Sequence, residues 1–447
     1  MTGKLISRRR FLKGAVKTSA ATITFPYLVQ SSALGGFGTV AASNRIVIGC
    51  IGTGWQGTYN LRAFLGRPIK LWYVSRTPEV PAGEAQVVAV CDVDAARRDK
   101  AKQIVNETYG NNDCAAYNDF RELLARDDID AVTVCTPDHW HGLMAVAAAK
   151  AGKDIYCEKP LAYTVAEGRA VCEAVKRYGR VLQTGSHERS GGKVRFACEL
   201  VRNGRIGQLH TIWVNMPVDV GGIETQPIME IPAGFDYEMW LGPAPWAPYT
   251  EKRCHRWFRF IMDYSGGEIG DRGAHIFDIA QLGNGSDCSG PIEISGCGEV
   301  PSEGLFDTFI KYRFECKYAN GVRLIGESEG PRGIRFEGSD GWIFIHIHGG
   351  DLEASSESLL KEKIRPDEIC LGRSRGHHED FLNAVRTRGQ AIAPAEVGHR
   401  SASICHLVNI AMLTGRKLQW DPVKELIIND SEANRMLSRP MRSPWYL

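Results

Sequence analysis

Three groups of residues in this chain have the types and spacing to move a proton and a hydride. The first is Lys159, in Cys157-Glu158-Lys159-Pro160. A lysine that closes a strand stands at the carboxyl edge of the sheet, where open α/β sheets bind ligands. Its ammonium can hold a substrate oxygen and steady the alkoxide as hydride leaves the adjoining carbon. The second group lies in Asp271-Arg272-Gly273-Ala274-His275-Ile276-Phe277-Asp278. On a helix, Asp271 and His275 stand at i and i+4 on one face, with Asp278 a turn further on. An imidazole can take a hydroxyl proton near neutral pH. Asp271 can orient that ring and stabilise its charged form. The third group is Gly52-Thr53-Gly54-Trp55-Gln56-Gly57. Gly52 permits a tight strand-to-helix turn, Gly54 lets backbone approach phosphates, and Gly57 lets helix and strand pack closely. Gly52, Gly54, Trp55, Gln56 and Gly57 are the candidate pyrophosphate contacts. Each group has a plainer meaning alone: a solvated lysine, a local Asp/His hydrogen bond, a glycine-rich turn in a chain with 48 glycines. Their occurrence together favours one redox site.

The elements around them have the order such a site needs. Ile46–Ile51 is an apolar, β-branched run, and Tyr59–Leu65 after the glycines is helix-compatible. Strands are expected at Val87–Cys91, Ala131–Cys135, Ile155–Cys157 and Val181–Gln183, and helices at Ala95–Tyr109, Gly142–Ala151 and Val165–Tyr178. This alternation implies a doubly wound parallel sheet, a Rossmann-type α/β domain. From Leu209 the texture changes. Thr211–Asn215, Ile310–Phe314, Arg323–Glu327 and Trp342–His346 read as strands of a mixed or antiparallel sheet, and Glu379–Val385 and Arg400–Thr414 as helices. Asp92 ends the second strand, where an acid accepts hydrogen bonds from the adenosine ribose and opposes a 2′-phosphate. NAD is therefore favoured, although Arg97 and Arg98 close behind leave NADP open. Asp92 lies further from the glycines than the usual ~20 residues, so the segment from Arg67 to Gln86 reads as an insertion. A helix cap is the other reading of Asp92.

With 447 residues the chain exceeds one small core. A net charge of +2 gives no field that would gather nucleic acid or anionic membrane. No apolar run is long and charge-free enough to span a bilayer. The start, Ser7-Arg8-Arg9-Arg10-Phe11-Leu12-Lys13 followed by a weakly apolar stretch, matches a twin-arginine export signal. A periplasmic protein exported in the folded state is expected, with signal and linker over 1–42, a dinucleotide-binding domain over 43–185 and a substrate and oligomerisation domain over 186–447. The C-terminal helices of the latter are expected to return toward the first domain. The 13 cysteines form no C-x-x-C pair and read as buried thiols.

The glycine loop, Ala89-Val90-Cys91-Asp92-Val93-Asp94, Thr136-Pro137-Asp138-His139-Trp140-His141, Glu158-Lys159-Pro160 and the Asp271/His275 pair together resemble the glucose–fructose oxidoreductase, inositol dehydrogenase and rhizopine-catabolism protein family (Gfo/Idh/MocA). The ending, from His377-His378-Glu379-Asp380-Phe381 to Arg439-Pro440-Met441-Arg442-Ser443-Pro444-Trp445, is similar to an exported bacterial branch of it. The resemblance implies a nucleotide-binding domain followed by an α/β domain with a large, mostly antiparallel sheet, whose free face commonly forms a dimer or tetramer interface. It implies hydride transfer between nicotinamide and a sugar, glycoside, cyclitol or polyol. It makes Lys159 and His275 the catalytic pair, with Asp271 in support. It also places Thr136, Pro137 and His141 along the cofactor edge, and Glu158 and Lys159 near the nicotinamide ribose.

Further residues have the chemistry of a sugar site, where aromatic faces pack on C–H surfaces and polar groups read hydroxyls. They are His187 and Arg189, after a strand end, and Trp257 beside His255 and Arg256. Core packing is the competing explanation for each. His346 and His348 alternate on an expected strand, and with no third ligand at suitable spacing no metal is expected. An exported enzyme has no obvious pool of free NAD(H), so a tightly bound, recycled cofactor is expected. Two rival functions remain: a redox-neutral glycosidase or lyase working through a transient keto-sugar, and a non-catalytic carbohydrate-binding protein.

Overall fold

Ile46–Ile51 is apolar almost throughout because both faces of its strand are covered, as in a parallel sheet between two helical layers. The computed structural model of the chain describes residues 41, 44–71, 74–76, 80–348 and 351–447. Apart from residue 41, the expected export signal and linker lie outside the described residues. Residues 46–447 form one compact unit.

In chain order the first strands are β1 (Ile46–Ile51), the hairpin β2 (Ile69–Leu71) and β3 (Val74–Arg76), β4 (Ala85–Cys91), β5 (Ala115–Tyr117), β6 (Ala131–Val134), β7 (Asp154–Cys157) and β8 (Leu182–Thr184). The hairpin lies inside the segment expected as an insertion. The other six strands make one sheet in the order β5-β4-β1-β6-β7-β8, and every pairing in it is parallel. The strand order reverses beside β1, which creates the crevice where such folds bind ligands. Because the strands are parallel, Gly52, Asp92, Thr136 and Lys159 all follow strand ends on this same edge.

Helices Ala95–Tyr109 and Val165–Tyr178 have the expected limits. The Asp94 carboxylate accepts from the N–H groups of Ala96 and Arg97, Thr164 accepts from Glu167, and glycines in the left-handed region end both helices. Two other helices begin earlier than the sequence suggests, at Trp55 and at Asp138. The residues read as motif loops, Trp55-Gln56 and Asp138 to His141, are their first turns.

The second sheet contains β9 (Leu209–Asn215), β10 (Glu293–Glu299), β11 (Lys311–Lys317), β12 (Arg323–Glu327), β13 (Gly333–Gly338), β14 (Gly341–His346), β15 (Leu352–Ala354), β16 (Leu418–Asp421) and β17 (Leu426–Ile427). Its order is β15-β14-β13-β9-β12-β11-β10-β16-β17. Only β9 and β12 pair in parallel; the other neighbours are antiparallel. The fold is thus the expected α/β class: a Rossmann sheet and a large, mostly antiparallel sheet.

Helix Gly267–Asn284 lies on this second sheet. Ile276, Phe277, Ile279 and Ala280 enter a core shared with Phe314 and Phe336, which turns Asp271, His275 and Asp278 to the opposite face. A Cβ at Gly283 would stand 2.4 Å from the Phe336 ring, so glycine lets helix and sheet approach. Helix His377–Thr387 sends Phe381, Leu382 and Val385 into the core around Ile48 and Phe64 of the first sheet layer. Helix Ala395–Thr414 packs against both Val165–Tyr178 and Gly267–Asn284. These helices close the space between the two sheets and hold the cavity walls in register. Burial pushes the Cys50 thiol up to about 12, in keeping with an inert core cysteine, whereas Cys288, Cys297 and Cys370 are exposed, against the expectation of buried thiols. Among the described residues no helix is long and apolar enough to cross a membrane.

Candidate active site

A cavity of about 740 Å³ opens at the carboxyl edge of the first sheet. One end is built from the turn after β1. Gly52 has φ +78, and a Cβ there would stand 2.6 Å from the Cys135 carbonyl oxygen. A Cβ at Gly57 would lie 1.9 Å from the Gly52 carbonyl oxygen, so only glycine allows the first helical turn to close on the strand end. Gly54 differs: its Cβ would meet only the tip of Arg97, which leaves the backbone open to the cavity. No side chain caps the helix that begins at Trp55. Its free N–H groups and positive dipole end suit an anion. Trp55 is exposed at this rim and Gln56 lines the cavity.

Asp92 is fixed at the end of β4. Its Oδ2 accepts from Thr53 N at 2.7 Å and Thr53 Oγ1 at 3.1 Å, and its Oδ1 from Asp94 N at 3.0 Å. Burial raises its pKa, and these donors oppose that rise. Asp94, not Asp92, is the helix cap. Arg98 is committed to the Asp92 carbonyl oxygen and Asn118, whereas Arg97 lines the cavity. An uncapped helix N-terminus, an open glycine backbone and an anchored acid fit a dinucleotide. Asp92→Ser should therefore weaken NAD+ binding about 10-fold or more, from lost hydrogen bonds to a charged acceptor. NADP+ binding should hold or improve, because Arg97 remains. Calorimetric titration of both nucleotides checks this; equal weakening of both would assign Asp92 to the turn alone.

The middle of the cavity is made by the Thr136 and Glu158 turns. Thr136 and Pro137 line it. His141 is a tie between loops: Nδ1 is 2.6 Å from the Pro160 carbonyl oxygen and Nε2 is 2.8 Å from that of Thr136. Glu158 Oε1 accepts from Gln56 Nε2 at 3.0 Å and Asn60 Nδ2 at 2.8 Å. Asn60, which the sequence reading did not single out, also meets His378 Nε2 at 2.9 Å and so joins three distant segments. The signal was its position one turn beyond Gln56.

Lys159 and the helix from Gly267 meet at the far wall. Lys159 Nζ donates to the Asp271 carbonyl oxygen at 3.0 Å and to the Asp271 carboxylate Oδ1. Asp271 Oδ2 accepts from Arg259 Nη1 at 2.7 Å. Burial alone would raise the Asp271 pKa, but Arg259, Lys159 and Arg272 outweigh it and hold the carboxyl well below the usual range. This corrects the expected role of Asp271. Its carboxylate is shared between Lys159 and Arg259 and does not orient His275, whose Nδ1 is buried with no hydrogen-bond partner among the described residues. His275 is 3 % exposed. Burial, followed by His187 and Lys159, pushes its pKa well below that of a free imidazole, which favours the neutral ring, the form with a lone pair to receive a proton. Beyond it Asp219 joins Arg272 (3.0 Å) and Arg332 (2.6 Å). Burial, with Asp271 and Asp219, raises Glu268 to about 7.

The candidate substrate residues divide. His187 lies with its ring centroid 4.6 Å from that of His275 and lines the cavity. Trp257 also lines it, braced by a stacking contact with Phe306 at 6.1 Å. Arg189 is a correction: its guanidinium is turned into the protein, 2.7 Å from Asp278 Oδ2 and 2.8 Å from Asp287 Oδ1. Its sequence position after a strand end suggested a cavity, but the 3-10 turn His187–Ser190 points successive side chains apart. Arg189→Leu leaves Asp278 buried without its cation and should cost about 3–5 kcal/mol of stability. Denaturant melts measure the loss. A raised KM with stability unchanged would instead put Arg189 at the substrate. His348 is a second correction. It lies past the end of β14, with φ +72, and does not share that strand with His346. Its ring faces His275, centroids 5.4 Å apart, while His346 pairs at the surface with Glu353.

Two family models match the chain: "Oxidoreductase family, NAD-binding Rossmann fold" over residues 46–186 and "Oxidoreductase family, C-terminal alpha/beta domain" over 211–447. Levoglucosan dehydrogenase of Pseudarthrobacter phenanthrenivorans is 26% identical over 375 residues, 78% of this chain and 83% of that protein. Myo-inositol 2-dehydrogenase of Thermotoga maritima is 33% identical over 129 residues, 29% of this chain and 37% of that protein. An alpha-N-acetylgalactosaminidase of Shewanella oneidensis is 28% identical over 222 residues, 46% of this chain and 44% of that protein. Among solved structures, levoglucosan dehydrogenase in complex with NADH superposes with a TM-score of 0.61 at 20% identity, over 84% of this chain and 99% of that one. Aldose-aldose oxidoreductase from Caulobacter crescentus gives 0.60 at 18%, with the same coverage. These structural likenesses show the fold. The two family models between them cover the glycine turn, Lys159, Arg259, Asp271 and His275, and the chain belongs to the Gfo/Idh/MocA family of NAD-binding oxidoreductases.

Proposed function

We propose that the protein transfers hydride between NAD and a secondary hydroxyl carbon of a sugar, glycoside or polyol. One observation carries this reading: Lys159 and His275, 116 positions apart (275 − 159), wall the same cavity as the glycine turn. Bound NAD supplies the hydride acceptor. The neutral His275 imidazole takes the hydroxyl proton. Lys159 holds the oxygen on which negative charge develops, and Asp271 with Arg259 fixes the lysine's position. Glu158, immobilised by Gln56 and Asn60, fixes the wall at the nicotinamide end. Trp257 offers an aromatic face to sugar C–H groups. The sugar and cyclitol dehydrogenases among the relatives support this substrate class.

The elimination chemistry considered from the sequence needs a group able to act at the neighbouring carbon, for which a tyrosine was the natural choice. Among the described residues lining the cavity there is none. Tyr163, one turn of chain beyond Lys159, donates instead to the Met262 carbonyl oxygen. Net redox transfer is therefore the favoured reading. To test it, purified protein is denatured and any released nucleotide identified. The absorbance of reduced nicotinamide is then followed as sugars are added to the native enzyme. Aglycone release without net reduction would favour elimination, and no turnover with any sugar or glycoside would favour simple carbohydrate binding.

We also propose that Arg8 and Arg9 direct export of the folded, cofactor-loaded protein to the periplasm, where it works as a homodimer or homotetramer with a retained cofactor. Replacing both arginines with lysine should hold the protein in the cytoplasm, as cell fractionation would show. Unchanged export would remove the twin-arginine reading.

A further inference from the structure

Three donor groups converge on the cavity wall next to His275, from two distant segments. His187 and Glu188 stand on the 3-10 turn after β8, and His348 follows β14. His187 Nε2 lies 3.7 Å from Glu188 Oε1, and His348 Nδ1 lies 3.4 Å from the same oxygen. All three donor atoms fall within 4.8 Å of one another. A tetrahedral first-row ion with bonds of about 2.0–2.2 Å sets its ligands roughly 3.4 Å apart. Two of the separations are already close to that value, and the third is within 4.8 Å.

The surroundings are those of a ligand set more than of a salt link. Glu188 is buried and His187 half-buried, and His187 Nε2 has no hydrogen-bond partner among the described residues. Glu188 Oε1 accepts the backbone N–H of His348 at 3.2 Å, the kind of outer contact that orients a ligating carboxylate. His187 and His348 both face the cavity, which leaves the remaining coordination position open toward it. Two imidazoles, one carboxylate and an open position suit zinc or a related divalent first-row ion.

We propose that His187, Glu188 and His348 form a divalent transition-metal site on the substrate side of the cavity, beside His275. Binding of the ion stands on the donor geometry alone; its use rests on the oxidoreductase reading. There it takes a substrate hydroxyl oxygen as its open ligand. The proton goes to His275, the hydride with its electron pair goes to NAD+, and the carbon becomes a carbonyl. The ion keeps its oxidation state throughout. A sugar, with adjacent oxygens, is a better ligand for such a site than a simple alcohol.

The test uses untagged full-length protein, stripped with a chelator and titrated with Co2+ and Zn2+. The readouts are the visible Co2+ bands, metal content per chain and nucleotide content of the same sample. One ion per chain is expected, with cobalt bands typical of a four- or five-coordinate nitrogen and oxygen set, displaced by Zn2+. His187→Ala and His348→Ala should each weaken binding about 100-fold, and surface His346→Ala should not. No stoichiometric binding by wild-type protein, or equal binding by the ligand variants, would overturn the site. If either ligand variant fails to fold, the wild-type cobalt spectrum and stoichiometry decide alone. Nucleotide without metal removes this site and leaves the hydride-transfer reading intact. Metal without nucleotide, and no redox turnover, does the reverse.

Discussion

Replacing Lys159 with methionine should lower kcat about 1,000-fold while NAD remains bound. The expected size is that of removing a donor aimed at an oxygen that becomes negative in the transition state, about 10²–10³-fold, at its upper end because the donor is charged and sheltered. The lysine side chain is 15% exposed and its ammonium rests on Asp271. The cationic head is thus held in place before substrate arrives. Methionine keeps the length and apolar stem but has no donor. The glycine turn and Asp92, which carry the nucleotide in this account, are untouched, and Asp271 keeps Arg259 as a partner at 2.7 Å. Steady-state kinetics, with nucleotide content measured on the same preparation, separates the outcomes. Loss of nucleotide along with activity would make Lys159 a binding residue. Wild-type turnover would remove it from the chemistry.

The second large effect is expected at His275. Changing it to asparagine should lower kcat by about 10²–10⁴-fold, the usual contribution of a positioned base. The residual rate should climb with pH, because solvent must then take the hydroxyl proton. A ring that served only to fill space would give a pH-independent loss or none. The structure adds a discriminating detail. Asp271 contacts Lys159 and Arg259 and makes no hydrogen bond to His275. Asp271→Asn should therefore resemble a weakened Lys159→Met and lack the pH signature of His275→Asn.

Much of this was legible in the residues because local rules and tertiary structure agree. The strand β1 has the limits expected, since an apolar run followed by Gly52 leaves the backbone little choice. Ala95–Tyr109 and Val165–Tyr178 carry their own caps in Asp94, Gly110, Thr164 and Gly179. The helix that bears Asp271 and His275 entered the sequence reading as a condition of their i, i+4 spacing, and the structure gives its extent, Gly267–Asn284. What failed depended on where a side chain turns after its strand ends. Arg189 and His187 are two residues apart, yet one enters the protein and the other faces the cavity. Only the distant partners Asp278 and Asp287, on one side, and His275, on the other, decide between them. His348 was misjudged for a related reason. Alternation with His346 reads as one strand, but β14 stops at His346 and the chain turns, so that His348 reaches residues 160 positions away. Strands β10 and β13 were overlooked because Gly296, Gly298, Gly333 and Gly338 dilute their apolar pattern. In both, the glycines admit close neighbours: a Cβ at Gly296 would stand 2.9 Å from the Phe314 Cβ, and one at Gly333 2.4 Å from the Ile345 carbonyl oxygen.

The central claim is that hydride passes directly between a substrate carbon and a nicotinamide bound against Lys159 and His275. The most direct measurement follows deuterium from a sugar labelled at its carbinol carbons into the nucleotide of the quenched enzyme, read by mass spectrometry. Deuterium should appear on the nicotinamide ring with wild-type protein, and at trace level with Lys159→Met and His275→Asn. Turnover of the labelled sugar that leaves the nucleotide unlabelled would contradict the account.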